Sequence, residues 1–282
     1  MSIIEFPVPA GAYGVAAAAD GALWATHVHA GLLSRTTTDG RTTTIALGDG
    51  TGPMVITPGP DDALWFTLNA ANAIGRVTVD GEVTRLPLPG TAPYGLTTGP
   101  DVTLWYTASG SGTVGRVRDG VAREFPAPGY PAVITAGPDG ALWFTLNAAD
   151  AIGRVTVDGE VTTFPLPTKG TGPVGICAGP DGALWFVGIL AGVIGRITTD
   201  GVITEFPLPD TTTRPHAITT GPDGALWFTE WAGNRIGRIT TDGTVTTIPL
   251  PTPSSEPHGL CTGPGGLWVA LEYGALAHLP MP

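Results

Sequence analysis

The dipeptide Leu-Trp recurs seven times along the chain, with its tryptophans at Trp24, Trp65, Trp105, Trp143, Trp185, Trp227 and Trp268. The intervals are 41, 40, 38, 42, 42 and 41 residues. Eleven residues after each of the first six comes an arginine: Arg35, Arg76, Arg116, Arg154, Arg196 and Arg238. The seventh copy has His278 ten residues on, a deletion of one. A period near 40 sustained over the whole chain restricts the fold to arrays in which each unit buries its apolar face against its neighbour.

One unit, residues 215–251, reads PHAITTGPDGALWFTEWAGNRIGRITTDGTVTTIPLP. It divides into four short apolar runs, HAITT, ALWFT, RIGRIT and TVTTIPLP, with GPDG between the first two and TTDG between the last two. Asp-Gly between β-forming runs is a hairpin signal. No segment has the length or the 3.6-residue period of a helix. Four antiparallel strands per unit make a propeller blade, so the predicted fold is all-β, a seven-bladed β-propeller. The 42 glycines and 28 prolines then serve tight turns, not disorder. After Trp268 the chain supplies one more strand, ALAHLP, while its start, SIIEFPVP, matches the fourth strand of other units, such as TEFPLP at 204–209. Residues 2–9 are therefore predicted to complete the blade formed by 257–281. That closes the ring and makes 1–282 a single domain. The recurring Leu, Trp and Arg are expected to be structural, as core between blades and as a cation packed or paired at the seams.

Function is sought where the repeat breaks. In a meander of four strands, the lead-in to strand one and the joint between strands two and three share one face, and strand one lines the central channel. The residue after the leading proline reads Tyr13, Met54, Tyr94, Ala132, Val174, His216 and His258 around the ring. Two residues earlier stand Gly11, Gly52, Ala92, Tyr130, Gly172, Arg214 and Glu256. The end of strand two supplies His27 and His29, then Asn69, Ser109, Asn147, Ile189, Glu230 and Glu272. Ionisable residues concentrate in blades six, seven and one, which are contiguous once the ring closes. His216, His258 and Tyr13 are thus predicted side by side at the channel mouth. Glu256 and Glu272 lie at the same end of neighbouring strands, and two carboxylates suit a hard cation such as Mg²⁺. His27, His29 and Glu230 read as solvated loop residues, and Arg214 as a counter-charge.

The remaining composition sets limits. A net charge of −11 repels phosphate backbones and argues against nucleic acid as a partner. The start, MSIIEFPVPAG, lacks the basic region of a signal peptide, and no apolar run approaches bilayer-spanning length, so a cytoplasmic protein without a membrane partner is expected. A monomer is expected too. Cys177 and Cys261 occupy the same slot two copies apart, which reads as two buried thiols and not a disulfide. Zinc-type His/Cys spacing, a Walker loop and a GxSxG elbow are all missing.

GPDGALWFTE with NRIGRIT, the PHA of 215–217, the EPHG of 256–259 and the later Glu272 together resemble the virginiamycin B lyase family, and the resemblance covers the whole chain. It implies a seven-bladed propeller that inactivates type B streptogramins, cyclic depsipeptides, by Mg²⁺-dependent elimination at the ester-bearing threonine. By motif it implies His258 as the catalytic acid/base, Glu256 and Glu272 as metal-binding carboxylates, and His216 and Tyr13 as groups that position the substrate. A wide, aromatic-rimmed channel mouth would suit a bulky cyclic peptide. Tyr13 departs from the pattern in following Ala12 instead of proline. The residues by themselves also admit a metal-dependent lactonase or ester hydrolase, or a propeller that binds a ligand without catalysis.

Overall fold

A computed structural model describes residues 2–281. Seven four-stranded antiparallel sheets are arranged as the blades of a propeller, and a single 3₁₀ turn at Asn147–Ala149 is the one helical element among the described residues. The unit at 215–251 forms strands Pro215–Thr220, Leu226–Glu230, Arg235–Ile239 and Val245–Pro249, one for each apolar run. Both Asp-Gly joints of that unit place glycine at positive φ, Gly224 at 71° and Gly243 at 91°, where a side chain would be strained. Among the described residues no helix is long and apolar enough to cross a membrane.

The last blade takes its outer strand from the other end of the chain. Ile4–Pro7 pairs antiparallel with Ala275–Pro280, Phe6 opposite Leu276. Phe6 packs on Trp268 with ring centroids 5.3 Å apart. Phe206 stacks on Trp185 in blade five at 5.6 Å. The match between SIIEFPVP and TEFPLP is thus a match of packing as well as of letters.

Core lies at the seams. Trp24 clusters with Ile56, Leu64 and Phe66 of blade two, and Trp227 clusters with Leu267 and Val269 of blade seven. The recurring arginine is paired with an aspartate of its own blade; Arg116 in addition reaches across the seam, donating to the carbonyl of Val157 at 2.7 Å. In blade five, the Asp181 carboxylate accepts from Trp185 Nε1 at 3.0 Å and from Arg196 Nε at 2.6 Å. The aspartate of the turn GPDG therefore has a second task that its turn-forming role conceals. The Asp–Arg pair is present in all six blades that carry the arginine. Blade seven, which lacks both, stacks His278 on Trp268 at 4.3 Å and ties Trp268 Nε1 to the carbonyl of Pro264.

A second device links blades at the channel. Strand one of every blade carries a register shift just after its start, as between Pro215 and Ile218 or Pro257 and Leu260. The bulge turns out the carbonyl of the residue that follows the leading position. A threonine on strand two of the preceding blade donates to that carbonyl: Thr67 to Tyr94, Thr145 to Val174 and Thr229 to His258, at 2.8, 2.7 and 2.8 Å. Val187 and Ala270 stand at the corresponding positions of blades five and seven. The carbonyls of His216 and Tyr13 therefore lack this donor, and the seams on either side of blades six and seven are the ones without it.

The two cysteines are free and half-buried, where the sequence suggested full burial. Burial nonetheless pushes each thiol up to about 12, so neither is a reactive thiolate at neutral pH.

Candidate active site

The first strands of all seven blades line the central channel, and a cavity of about 140 Å³ runs between them, walled by Val15, Ile56, Val133, Ile176, Ile218 and Leu260. Its upper end is closed by polar rings. Tyr13, on the bulge of blade one, meets Tyr94 of blade three with hydroxyls 2.5 Å apart and His216 Nε2 of blade six at 3.2 Å. The mouth is therefore aromatic-rimmed, as expected, but narrow. The cavity is smaller than the ~300 Å³ at which pockets for drug-sized molecules begin, so the channel itself does not take a bulky cyclic ligand.

His258 is packed among these rings. Its centroid lies 4.6 Å from Tyr13 and 4.8 Å from His216, the latter edge-on at 82°. His258 Nε2 is 2.5 Å from Glu272 Oε2, and the other oxygen of Glu272 lies 3.1 Å from His29 Nε2. Burial pushes His258 below the ordinary imidazole value, opposed by the hydrogen bond and charge of Glu272 and the charge of Glu256. The ring is thus neutral near pH 7. A carboxylate only accepts, so the proton of neutral His258 sits on Nε2 and its lone pair on Nδ1, which has no protein partner. His216 is driven down to about 3 by burial and by its neighbour His258, and its Nδ1 also has no partner. Burial raises Glu272, but hydrogen bonds from His258 and His29 outweigh it and hold the carboxyl below its usual range.

Glu256 is exposed, on the lead-in to strand one, with φ at 51°. The equivalent residues of all seven blades share this left-handed conformation; three are glycines, Gly11, Gly52 and Gly172, and four are Ala92, Tyr130, Arg214 and Glu256. A side chain here is displayed against a backbone preference that favours glycine. The amide of Glu272 donates to the carbonyl of Glu256 at 3.2 Å, so the two carboxylates stem from bonded backbone positions. Among the described residues no three His, Cys, Asp or Glu side chains converge as a ready-made cage. The donor set is nonetheless suited to Mg²⁺, a hard cation commonly held by one or two carboxylates with water or substrate oxygens for the rest.

The structure brings Tyr13, His216, His258 and Glu272 into contact, leaves the Glu256 side chain exposed with its backbone carbonyl bonded to the amide of Glu272, and changes the reading of their neighbours. Glu230 and His27 are fully buried, not solvated. Glu230 lies 3.0 Å from Arg235, and His27 bonds Ser34 Oγ at 2.8 Å. The reason is the two-residue period of a strand. Both stand three residues after the blade tryptophan and face the seam, whereas Glu272 stands four after and faces the mouth. The counterpart of Glu272 in blade six is Trp231, whose amide bonds the carbonyl of Arg214 as that of Glu272 bonds Glu256. Trp231, the one tryptophan outside the repeat, lies 6.4 Å from His258, with Arg214 stacked over it at 5.7 Å. Arg214 is thus a cation on an aromatic face. His29 is exposed, as expected of a loop residue, yet it holds Glu272. Tyr94 is the other member missed: its slot was legible, but not its reach across the mouth to Tyr13.

A model of the virginiamycin B lyase family matches residues 1–279. Selenomethionine-substituted virginiamycin B lyase from Staphylococcus aureus is similar in structure with a TM-score of 0.95 and 42% identity, covering 100% of this chain and 99% of that one. A streptogramin B lyase structure aligns at 0.93 and 40%, covering 99% and 97%. A catalytically inactive histidine-to-alanine variant of the S. aureus enzyme, with quinupristin, aligns at 0.95 and 42%, covering 100% and 99%. Among curated proteins, none matches the chain at a significant level.

Proposed function

The chain belongs to the virginiamycin B lyase family, whose members are carbon–oxygen lyases, and from that premise we propose that it opens type B streptogramins by Mg²⁺-dependent elimination at the ester-bearing threonine and so confers antibiotic resistance. The observation that carries this reading is the His258–Glu272 pair at the mouth, in contact with Tyr13 and His216. A lyase of the same family with one histidine replaced by alanine is inactive, in a structure with quinupristin, which supports a cyclic depsipeptide as substrate and a histidine as indispensable.

Elimination removes a proton α to a carbonyl and expels a carboxylate from the β carbon. The C–H and C–O bonds break, a C=C bond forms, and nothing is added to the molecule. His258 is the proposed base. Burial keeps it neutral, Glu272 fixes its proton on Nε2, and Nδ1 keeps a free lone pair shielded from water. Glu256 and Glu272 are the groups that would hold Mg²⁺, which when bound polarises the carbonyl beside the acidic C–H as a Lewis acid. The leaving carboxylate is a stable anion and needs only a hydrogen-bond donor, a role for His216. Tyr13 orders both imidazoles, bonding one and packing on the other. Trp231 and Tyr94 extend the aromatic rim on which the depsipeptide ring would rest. The enzyme is taken to act as a monomer in the cytoplasm.

The test is a mass measurement. Incubated with quinupristin and Mg²⁺, the protein is expected to yield a linear product of unchanged mass, and none when EDTA is present. A product heavier by one water would instead make it a hydrolase.

A further inference from the structure

We infer that Glu5, on the strand that closes the ring, is a positioning residue for Glu272 and acts through the hydroxyl of Tyr273. The inference deepens the elimination reading and takes from it the role of Glu272 as a cation ligand.

Glu272 opens the joint between strands two and three of blade seven. That joint spans residues 272–274, where blade six has 231–234. The backbone of the shortened joint is held less well. In blades four, five and six the second residue of the joint donates its amide to the lead-in of strand one: Ala148 to Gly129 at 3.0 Å, Leu190 to Thr171 at 3.1 Å and Ala232 to Thr213 at 3.0 Å. In blade seven the same bond, from Tyr273 to Ser255, is stretched to 3.5 Å.

The first residues of the chain supply what the joint lacks. The hydroxyl of Tyr273 donates to Glu5 Oε2 at 2.9 Å, and the amide of Gly11 donates to the carbonyl of Glu272 at 2.7 Å. Thr252, on the lead-in that runs to Glu256, donates to the same Oε2 at 2.6 Å. Glu5 thus ties the joint that carries Glu272 to the lead-in that carries Glu256. Its Oε1 is buried without a partner, so the carboxylate depends on these two hydroxyls.

Blade five carries half of this device. Glu205 holds the same place on strand four, its Oε1 is likewise unpartnered, and Thr168 donates to its Oε2 at 2.6 Å. Leu190, which has no hydroxyl, stands where blade seven has Tyr273. The Glu–Thr bond is therefore a fastening of the repeat, and the tyrosine extends it to the site. Glu272 already serves His258 with one oxygen and His29 with the other. Groups that hold a ligand from behind set its affinity for metal.

The test reads Tm against Mg²⁺ concentration, which gives the apparent Kd. Tyr273 is exposed, so Tyr273→Phe removes the hydroxyl and is expected to leave the fold intact. It is expected to weaken Mg²⁺ binding about tenfold, as is Glu5→Ala. Glu205→Ala removes the equivalent bond in a blade without site residues. It is expected to lower Tm as Glu5→Ala does and to leave the Kd within about twofold. The double variant Tyr273→Phe/Glu5→Ala is expected to bind no more weakly than Glu5→Ala alone. A second readout needs no metal: the ¹⁵N shift of His258 Nε2, assigned through His258→Asn, reports the bond to Glu272. It is expected to move in Tyr273→Phe and Glu5→Ala and to stay in Glu205→Ala. An unchanged Kd in Tyr273→Phe, an equal weakening in Glu205→Ala, or independent losses in the double variant would overturn the inference. If Mg²⁺ leaves the Tm of the unmodified chain unchanged, the metal reading falls. The ring nitrogen then decides alone: movement in the first two variants upholds the role of Glu5, and no movement overturns it.

Discussion

The hydroxyl of Thr229 donates a 2.8 Å hydrogen bond to the carbonyl of His258 across the seam between blades six and seven. The proposed base is thus held by the blade before its own, through its backbone. Thr229→Val keeps the shape, and Val187 occupies the same position naturally in blade five. It leaves two backbone groups unpaired, the carbonyl of His258 and the amide of Ala217, which donates to the same hydroxyl at 3.0 Å, a loss of about 1–3 kcal/mol. Turnover should fall about tenfold as His258 loses its registration. Urea denaturation and steady-state kinetics check the two effects; a variant with normal stability and normal rate would show that the bond positions nothing.

His258→Ala is expected to remove general-base catalysis, worth about 10²–10⁴-fold in rate. The fold should persist, since His258 packs on site residues and not on a seam cluster. Circular dichroism and Tm check the fold, and the quinupristin assay checks the rate. Near-normal turnover would remove His258 from the mechanism.

Glu256→Gly should separate binding from stability. Glu256 holds φ at 51°, where three other blades use glycine. Relieving that conformation is expected to raise stability by up to about 1 kcal/mol. The same change removes one of two proposed cation ligands. Mg²⁺ should therefore raise the Tm of the unmodified chain and not that of the variant. Equal shifts in both would take Glu256 out of the metal site.

Acid sensitivity follows from the six Asp–Arg pairs. Burial raises each of these aspartates, but hydrogen bonds from its partners, the arginine among them, prevail and hold it below 3.8. Asp101 behaves alike, with Thr103 and Trp105 as its main donors. With folded values depressed, the unfolded chain takes up protons first as pH falls. The stabilisation is present above the ordinary carboxylate value and is lost below it. Being partly exposed, each pair is worth about 0.5 kcal/mol. Urea midpoints should already decline below about pH 6.5, because the buried imidazoles of His27, His216 and His258 stay neutral in the folded protein while those of the unfolded chain take up protons. The aspartates add a further drop below pH 4, and Asp181→Asn should shrink that part alone. An unchanged acid limb in the variant would show that the pairs contribute nothing.

The 40-residue period was enough to read the blades, their four strands and the closing strand, because each blade repeats one pattern of burial. Tyr13, His216 and His258 were legible because they interrupt that pattern at one slot. The turn aspartates were not, since Asp-Gly already accounts for itself as a hairpin. Glu230 and His27 were misplaced because one residue at a strand end decides between seam and mouth, and the shortened joint of blade seven hides the offset. Leu271 pairs with Ala275 where Glu230 pairs with Arg235, so Glu272 begins the turn instead of ending the strand. Tyr94 and Trp231 escaped because contacts across a ring leave no spacing along a chain.

The sheet that carries Glu256, His258 and Glu272 is finished by residues 4–7. During synthesis residues 4–7 must wait, unpaired, until residues 275–280 emerge. Six blades can assemble before the seventh exists, but the proposed site cannot. A chain cut before residue 275 would then lack that site altogether instead of holding a weakened one.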